Sequence, residues 1–357
     1  MKYKISEIGK VVGGGTPSTK HAEYYSKNGI AWITPKDLSD YHKKYIGHGA
    51  KDISEEGLKN SSAKLLPVDS ILVSSRAPIG YVAMAGTDLA TSQGFKSIVP
   101  NTSKVMPEYL YYLMLKSKDK IEQIASGSTF KEISGKGMSN FTVDIPELKE
   151  QKEIVQKLNP IFKKIEENNR INDNLTELKT TIFNKMFSIN LTNCLNGKIK
   201  DIAEVRTGKR PKIKYSKKGS TPIYPIIGAS KIMGYTDEYL YNKSIITTGR
   251  VGTLGVVKRY REPVWVSDNS FIFITKYEDY LYELLTHFIN YSALNIGSTQ
   301  PLITQTEFKN VDIYIPKREE LIEFKEKVVT LTEQQFELRQ QNRLLNDLKS
   351  YLLSKLF

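Results

Sequence analysis

Hydrophobic and polar positions alternate over short distances in two long regions of this chain, residues 1–146 and 198–316. Apolar runs such as Ser70–Ser74, Ile245–Thr248 and Phe271–Thr275 are separated there by Gly, Pro, Ser and Asn. Short runs of this kind, bounded by turn-forming residues, predict short strands joined by turns.

Two long segments have the opposite character. They follow Pro146 and Pro316 and contain no glycine, and Pro160 is the one interruption. The segments predict long helices, and we expect Pro160 to kink or restart the first of them. Shorter helices are predicted inside the strand-rich regions, over Pro107–Lys118 and Tyr280–Tyr291.

The two long segments share a heptad spacing in the same register. The residues predicted to pair the helices are Ile161, Ile165, Asn172, Leu175, Ile182, Leu331, Leu338, Asn342, Leu345 and Leu352. Asn172 and Asn342 fall at equivalent a positions, where a buried polar residue costs stability but fixes register and partner. We favour an antiparallel pairing of the two helices, with packing of each helix on its own domain as the alternative.

The chain also repeats itself once. Lys4–Ile8 reappears as Lys198–Ile202, and Ser70–Arg76 resembles Ser244–Arg250, which matches Arg76 with Arg250. The spacing between matched positions falls along the chain, so the second copy is shorter. The predicted fold is α+β, with two repeated globular domains joined by two long antiparallel coiled-coil helices about a pseudo-twofold axis.

Composition indicates an ordered protein with a polyanionic partner. Hydrophobic residues make up 39% of the chain and charged residues 25%, and 52 Lys and Arg against 39 acids give a net charge of +13. Such an excess favours nucleic acid or an anionic membrane surface. The chain lacks an apolar run of the ~18 residues that a spanning helix needs, has a polar start, and has Cys194 as its single cysteine. We therefore expect a soluble cytoplasmic protein without disulfides.

Motifs for catalysis are missing. The histidines His21, His42, His48 and His287 lack the spacing of metal ligands. The segment Gly249–Gly255 is more typical of a strand-to-strand turn than of a phosphate-binding loop. We expect no catalytic residue, no metal and no cofactor.

Basic and amide side chains are instead concentrated in the turns of both copies. Arginine can hydrogen-bond guanine O6 and N7 together, and Asn or Gln can bind adenine N6 and N7. The residues predicted to bind DNA are Thr16, Ser18, Lys20, Lys36, Arg76, Gln93, Lys96, Lys209, Arg210, Lys212, Lys231, Arg250 and Asn269. Each of them taken singly could be an ordinary exposed loop residue.

The repeated layout resembles the specificity subunit of type I restriction-modification systems, over almost the whole chain. The segments that carry the resemblance are Ile5–Ile8, Gly13–Ser18, Trp32–Leu38, Asp69–Gly80, Thr91–Lys96 and Ile145-Pro146 followed by Glu150–Val155. The second copy departs from these patterns, so individual base contacts are not carried over from the family.

The resemblance implies four parts. Residues 1–146 and 191–316 would be target recognition domains, each reading one half of an asymmetric bipartite site in double-stranded DNA. Residues 147–190 and 317–357 would be helical spacers that dock two methyltransferase subunits, which two restriction and translocase subunits may join. The subunit itself would not be catalytic.

Two other functions remain open at this point. A free-standing sequence-specific DNA-binding regulator built from the same domains would work without a partner. A single-chain nuclease or methyltransferase would need a catalytic motif, and the sequence contains none that we recognise.

Overall fold

The computed structural model describes residues 1–39, 41–76, 78–127, 131–216 and 223–357, and of residues 189, 192 and 193 only the backbone. The chain divides into two compact units. The first unit is Met1–Arg170 together with Arg339–Phe357, and the second unit is Ile171–Leu338.

Short strands make up most of the first unit before its long helix. Its strands are β1 (Lys2–Lys4), β2 (Gly9–Gly13), β3 (Tyr25–Ser26), β4 (Ile30–Ile33), β5 (Tyr45–Ile46), β6 (Lys51–Ile53), β7 (Ile71–Val73), β8 (Val82–Ala85), β9 (Ala90–Thr91), β10 (Lys96–Pro100) and β11 (Thr142–Asp144). Its short helices are α1 (Ile5–Ile8), α2 (Glu55–Lys59), α3 (Pro107–Lys116), α4 (Lys118–Gln123) and α5 (Gly135–Asn140), with 3₁₀ turns at Ala22–Tyr24 and Pro35–Leu38.

The second unit has strands and helices of the same kind. Its strands are β12 (Gly197–Lys198), β13 (Glu204–Thr207), β14 (Tyr224–Ile227), β15 (Ile232–Thr236), β16 (Ile245–Gly249), β17 (Lys258–Tyr260), β18 (Trp265–Val266), β19 (Ser270–Ile274) and β20 (Asp312–Ile313). Two long helices complete the chain. The helices are α6 (Leu148–Asn193), α7 (Ile199–Ile202), α8 (Glu278–His287), α9 (Gln305–Lys309) and α10 (Arg318–Leu356).

Strand order confirms the repeat. The sheet β2–β10–β7–β8 of the first unit corresponds to β13–β19–β16–β17 of the second, and β6–β4–β9 corresponds to β15–β14–β18. In the first unit a long excursion that includes β5 connects β4 to β6, whereas a tight turn connects β14 to β15. This difference accounts for part of the shortening of the second copy.

Each unit has an apolar core between its main sheet and its helices. In the first unit Ile71, Ile98 and Tyr112 are fully buried in this core, and in the second unit Phe273 and Phe308 are. The strands were predicted from alternating runs, and the fully buried ones, such as Ile71–Val73, are apolar throughout.

The first long helix passes through Pro160 without ending, so of the two expected outcomes, a kink or a restart, the restart is wrong. A proline removes one backbone hydrogen bond of a helix. Leu158 and Ile161 on either side of it are buried, and this packing holds the helix together across the missing bond. None of the helices in the described part of the chain is long and apolar enough to cross a membrane.

Contacts inside the first unit pair the start of α6 with the end of α10. Asn168 Nδ2 donates to Gln341 Oε1 at 3.1 Å and to Asn342 Oδ1 at 3.0 Å, and Asn342 Nδ2 donates to Asn169 Oδ1 at 2.7 Å. Nearer the start of α6, the centre of the Phe162 ring lies 5.0 Å from the ammonium of Lys349 on α10. Residues that come later on α6 contact residues that come earlier on α10. The predicted antiparallel pairing is therefore confirmed.

The second unit pairs the end of α6 with the start of α10 in the same sense. Lys179 Nζ donates to Gln335 Oε1 at 3.1 Å, and the rings of Phe183 and Phe324 are 5.6 Å apart. All the residues predicted to pair the helices are buried or half-buried. Each unit thus pairs the two helices through both polar and aromatic side chains.

A buried ionic cluster attaches α8 and β17 of the second unit to the long helices. Arg259 Nη1 lies 2.8 Å from Asp279 Oδ1, and Thr332 Oγ1 donates to the same oxygen at 2.9 Å. Burial alone would raise the pKa of Asp279, but Arg259 and Thr332 outweigh it and lower this pKa. Burial raises the pKa of Glu283, which lies 3.8 Å from Lys179 Nζ. The stability that Asp279 contributes is present above the ordinary carboxyl pKa and is lost as pH falls through the lowered one.

The amide cluster in the seam of the first unit predicts a stability effect. Asn342→Ala leaves the buried amide of Asn168 and the amide of Asn169 with fewer partners, and we expect a loss of about 1–3 kcal/mol in the free energy of unfolding. Asn346→Ala, on the exposed side of the same helix, should cost much less. Urea unfolding of both variants measures the difference, and equal losses would contradict the assigned role of the cluster.

Candidate nucleic-acid interface

Most of the residues predicted to bind DNA gather at one end of the main sheet in each unit. In the first unit β2 and β7 both pair antiparallel with β10, so the ends of β2 and β7 lie beside the start of β10. We call this edge the loop end. The loop end of the first unit comprises residues 14–20, 74–76 and 92–96. The loop end of the second unit comprises residues 208–212, 250–253 and 267–271.

One glycine in each unit sets how closely the loop approaches the sheet. A Cβ atom on Gly14 would overlap the carbonyl oxygen of Ser92, and a Cβ atom on Gly208 would overlap that of Ser267. Glycine is therefore required by the close backbone approach at both positions. The repeat extends to the main-chain geometry of the loops.

A tryptophan indole holds the residue that follows this glycine in each loop. The tryptophan lies on a different strand in each unit. Trp32 on β4 donates its indole N–H to Gly15 O at 2.9 Å, and Trp265 on β18 donates to Lys209 O at 2.7 Å. The parallel pair β4–β9 corresponds to β14–β18, so the two tryptophans occupy opposite strands of equivalent pairs. The same hydrogen bond is thus made by residues that a sequence alignment does not match.

The two arginines matched by the repeat are one position apart in the structure. Ile133 N donates to Ser75 O at 3.1 Å, and Ile303 N donates to Arg250 O at 2.9 Å. Arg250 therefore corresponds to Ser75 and not to Arg76, which corrects the sequence alignment. The strand pairing gives the same shift for all of β7 and β16, because Ile71 pairs with Ile98 as Ile246 pairs with Phe273.

Two of the predicted cations in the first unit share one carboxylate. Arg76 Nη1 lies 3.5 Å from Glu132 Oε2, and Lys96 Nζ lies 3.2 Å from Glu132 Oε1. The Lys96 side chain is 14% exposed, whereas those of Arg76 and Glu132 are 37% and 38% exposed. We call these three residues the Glu132 cluster.

The second unit holds its arginine differently. The Arg250 guanidinium lies 5.9 Å from the centre of the Phe271 ring, and Nη1 donates to Asp268 O at 3.5 Å. The Nε atom of Arg250 is buried and has no hydrogen-bond partner among the described residues. Next to it, Arg210 Nε donates to Asp268 Oδ2 at 2.7 Å. Arg250 thus lies half-buried at the loop end, with a buried donor that the described residues leave unsatisfied.

The other predicted residues lie on the same loops or beside them. Gly94 packs closely against Pro35, since a Cβ atom on Gly94 would lie only 2.8 Å from Pro35 Cγ. The turn that contains Lys36 is therefore next to the first loop end. In the same way Gly249 packs against Ala229, since a Cβ atom on Gly249 would lie 2.8 Å from Ala229 Cβ. The turn that contains Lys231 is therefore next to the second loop end. The exposed members are Thr16, Ser18, Lys20, Lys36, Gln93, Lys209, Arg210, Lys212 and Lys231, and Asn269 is half-buried.

Two of the predicted lysines are the last residues of the loop segments 14–20 and 208–212. They are Lys20, whose backbone N–H donates to Ser18 Oγ at 3.4 Å, and Lys212, and both are exposed. Lys217 and Lys218, which belong to the same basic run, lie outside the described residues.

Two residues that contact the predicted cations were missed by the sequence analysis. Glu132 contacts Arg76 although it is distant from it in the sequence, and Phe271, which lies against Arg250, belongs to an apolar run. Glu132 stands next to a single lysine, Lys131, in the sequence, which gave no signal for it. In the described part of the chain, His, Cys, Asp and Glu side chains form no group of three that could hold a metal ion.

Comparisons with known proteins agree on one family. A family model described as "Type I restriction modification DNA specificity domain" matches residues 1–177 and 195–349. The specificity subunit of the type I restriction enzyme MjaIX of Methanocaldococcus jannaschii is 41% identical over 187 residues, which are 52% of this chain and 43% of that protein. The EcoR124I/EcoR124II specificity subunit of Escherichia coli is 29% identical over 158 residues, 43% of this chain and 38% of that protein.

The matched part of this chain thus spans less than half the length of these two curated relatives. Among solved structures, the S subunit of a type I restriction-modification system from M. genitalium is similar over 100% of this chain and 96% of its own, with a TM-score of 0.57 and 16% identity. At that identity the similarity shows the fold.

The position of the Arg250 guanidinium at the second loop end, half-buried against the ring of Phe271, predicts a role in binding duplex DNA. We expect Arg250→Ala to weaken binding to the preferred duplex by ~1–3 kcal/mol and to relax the preference at one base position. Arg318→Ala removes the same charge from an exposed position at the start of α10 and is the matched control. Binding measured by fluorescence anisotropy tests this, and equal effects of the two substitutions would remove Arg250 from the interface.

Proposed function

The chain belongs to the type I restriction-modification DNA specificity family, and from this premise we propose that it selects the DNA sequence for a type I methyltransferase and restriction complex. The observation that carries the proposal is the shared main-chain arrangement of the two loop ends, which present different side chains. A single scaffold with two sets of side chains suits two different half-sites. The net charge of +13 suits a polyanion.

Each unit reads one half of an asymmetric bipartite site in this proposal. Residues 1–146 and 191–316 are the target recognition domains, and residues 147–190 and 317–357 are the helical spacers. The basic and amide residues at both loop ends contact the DNA. Arg76 and Arg250 bind base edges or phosphate, and the surrounding lysines bind phosphate.

The long helices dock methyltransferase subunits, two per chain, and two restriction and translocase subunits join them. An unpaired apolar stripe on α10 supports docking. Leu344, Leu348 and Tyr351 are 70%, 44% and 56% exposed, and their spacing puts them on one face of the helix. Apolar residues exposed in a row are typical of a protein interaction site.

The chain itself carries out neither methylation nor cleavage, and its partners supply both reactions in the cytoplasm, where the DNA lies. The absence of a recognised catalytic motif from the sequence supports this assignment. A free-standing regulator would work without a partner protein. The exposed apolar stripe on α10 therefore favours a subunit of a complex over such a regulator.

Reconstitution tests the proposed function. The purified chain should neither methylate nor cut DNA, and it should confer sequence-specific adenine methylation when mixed with its cognate methyltransferase subunit and S-adenosylmethionine. Methyl transfer by the chain alone, above that of a preparation carrying the same tag, would refute the proposal.

Exchange of one recognition domain tests the division of labour. Replacing residues 191–316 with the equivalent domain of a relative should change one half of the methylated sequence and leave the other half intact. The reciprocal exchange of residues 1–146 is the matched control and should change the other half. Methylome sequencing reads both, and a change in both halves from a single exchange would show that the units do not act independently.

A further inference from the structure

The Glu132 cluster places a carboxylate where a DNA-binding surface would be expected to be purely basic. Each oxygen of Glu132 faces a different cation, Arg76 at 3.5 Å and Lys96 at 3.2 Å. The carboxylate and the guanidinium are each more than a third exposed, whereas the lysine is largely buried beneath them. The acid therefore lies at the surface of the loop end, beside the arginine.

Main-chain contacts hold Glu132, Lys96 and the residue before Arg76 in position. Glu132 exchanges two backbone hydrogen bonds with Ser126, at 3.1 and 2.9 Å, and the next residue, Ile133, donates to Ser75. Lys96 is the first residue of β10 and is paired with Gly13 of β2. The cluster is thus built on paired backbone and is preorganised for a ligand.

The second unit has no acid at the equivalent place. The hydrogen bond from Ile303 to Arg250 matches that from Ile133 to Ser75, so Leu302 occupies the position of Glu132. Phe271 pairs with Thr207 as Lys96 pairs with Gly13, so Phe271 occupies the position of Lys96. The acid and the lysine of the first unit are therefore replaced together by apolar residues.

A carboxylate at a DNA surface has a characteristic consequence. It repels phosphates and competes with them for neighbouring cations, which lowers affinity for DNA of any sequence. It can also accept a hydrogen bond from the N4 amino group of cytosine in the major groove, while an adjacent arginine donates to guanine. An acid that reduces general affinity is useful where it increases discrimination.

Resting on the proposed function, we propose that Glu132 is a specificity-determining residue of the first unit. Its carboxylate accepts a hydrogen bond from the amino group of a cytosine, and it holds Arg76 and Lys96 away from phosphates and toward base edges. The second unit reads its half-site without an acid at this position, through Arg250 and the ring of Phe271.

The test uses the full chain and Glu132→Gln, which keeps the shape of the side chain and removes its charge. Duplexes bound from a random pool are sequenced, and affinities for the preferred duplex and for an unrelated duplex are measured over a series of salt concentrations. Glu153→Gln, which makes the same charge change at an exposed position on α6, is the matched control. Thermal unfolding of both variants checks that they fold, and Glu132→Ala provides a second variant.

We expect Glu132→Gln to bind the unrelated duplex more tightly, with a salt slope steeper by about one unit, because the released cations bind phosphate. The ratio of specific to non-specific affinity should fall about tenfold. The selected sequence should lose its preference at one cytosine of one half-site, with the other half unchanged. Glu153→Gln should select the wild-type sequence.

The outcomes separate the two proposals. If the wild-type chain selects no sequence, alone or with its methyltransferase subunit, the proposed function fails. If the wild-type chain selects a bipartite sequence and both Glu132 variants select the same one, the role of Glu132 is overturned, even where their non-specific affinity rises.

Discussion

The structure depends on a close approach of backbone to backbone at the loop ends. Gly14 and Gly208 bring each loop against the carbonyl groups of the neighbouring strand connection, where a side chain would not fit. The following peptide group is then held by an indole N–H, from Trp32 in one unit and from Trp265 in the other. Main-chain hydrogen bonds satisfy these loops, so their shape does not depend on the side chains that they expose. The exposed positions are free to differ between the units.

The two units use that freedom in different ways. The first unit surrounds a carboxylate with two cations, and the second lays an arginine over an aromatic ring and leaves one of its buried nitrogens without a partner. Both surfaces can bind a polyanion, but they offer different donors, acceptors and apolar groups to a base pair. The long helices add a second constraint. Their polar seam residues, such as Asn168 and Gln335, hydrogen-bond specifically, which fixes register more strictly than apolar contacts would.

Periodic patterns and the repeat predicted the architecture well, because many positions contribute to each signal. The heptads of α6 and α10 predicted an antiparallel pair, and the matched segments predicted two copies of one globular domain. Features that rest on one or two residues were harder to predict. Pro160 does not restart α6, because packing on both sides outweighs one lost hydrogen bond. Arg76 and Arg250 were matched by local similarity although the backbone bonds differ by one position. Glu132 lies 56 residues from Arg76 and 36 from Lys96, so only the fold brings them together.

We expect the loop ends of the two units to face different halves of one DNA site. Photo-crosslinking measures this directly. A preferred duplex carrying a photoreactive thymine analogue in one half or in the other is irradiated with the full chain, and the crosslinked peptides are identified by mass spectrometry. One half should crosslink to residues 14–20, 74–76 or 92–96 and the other half to residues 208–212, 250–253 or 267–271. Crosslinks from both halves to the same unit, or crosslinks confined to the long helices, would contradict this arrangement.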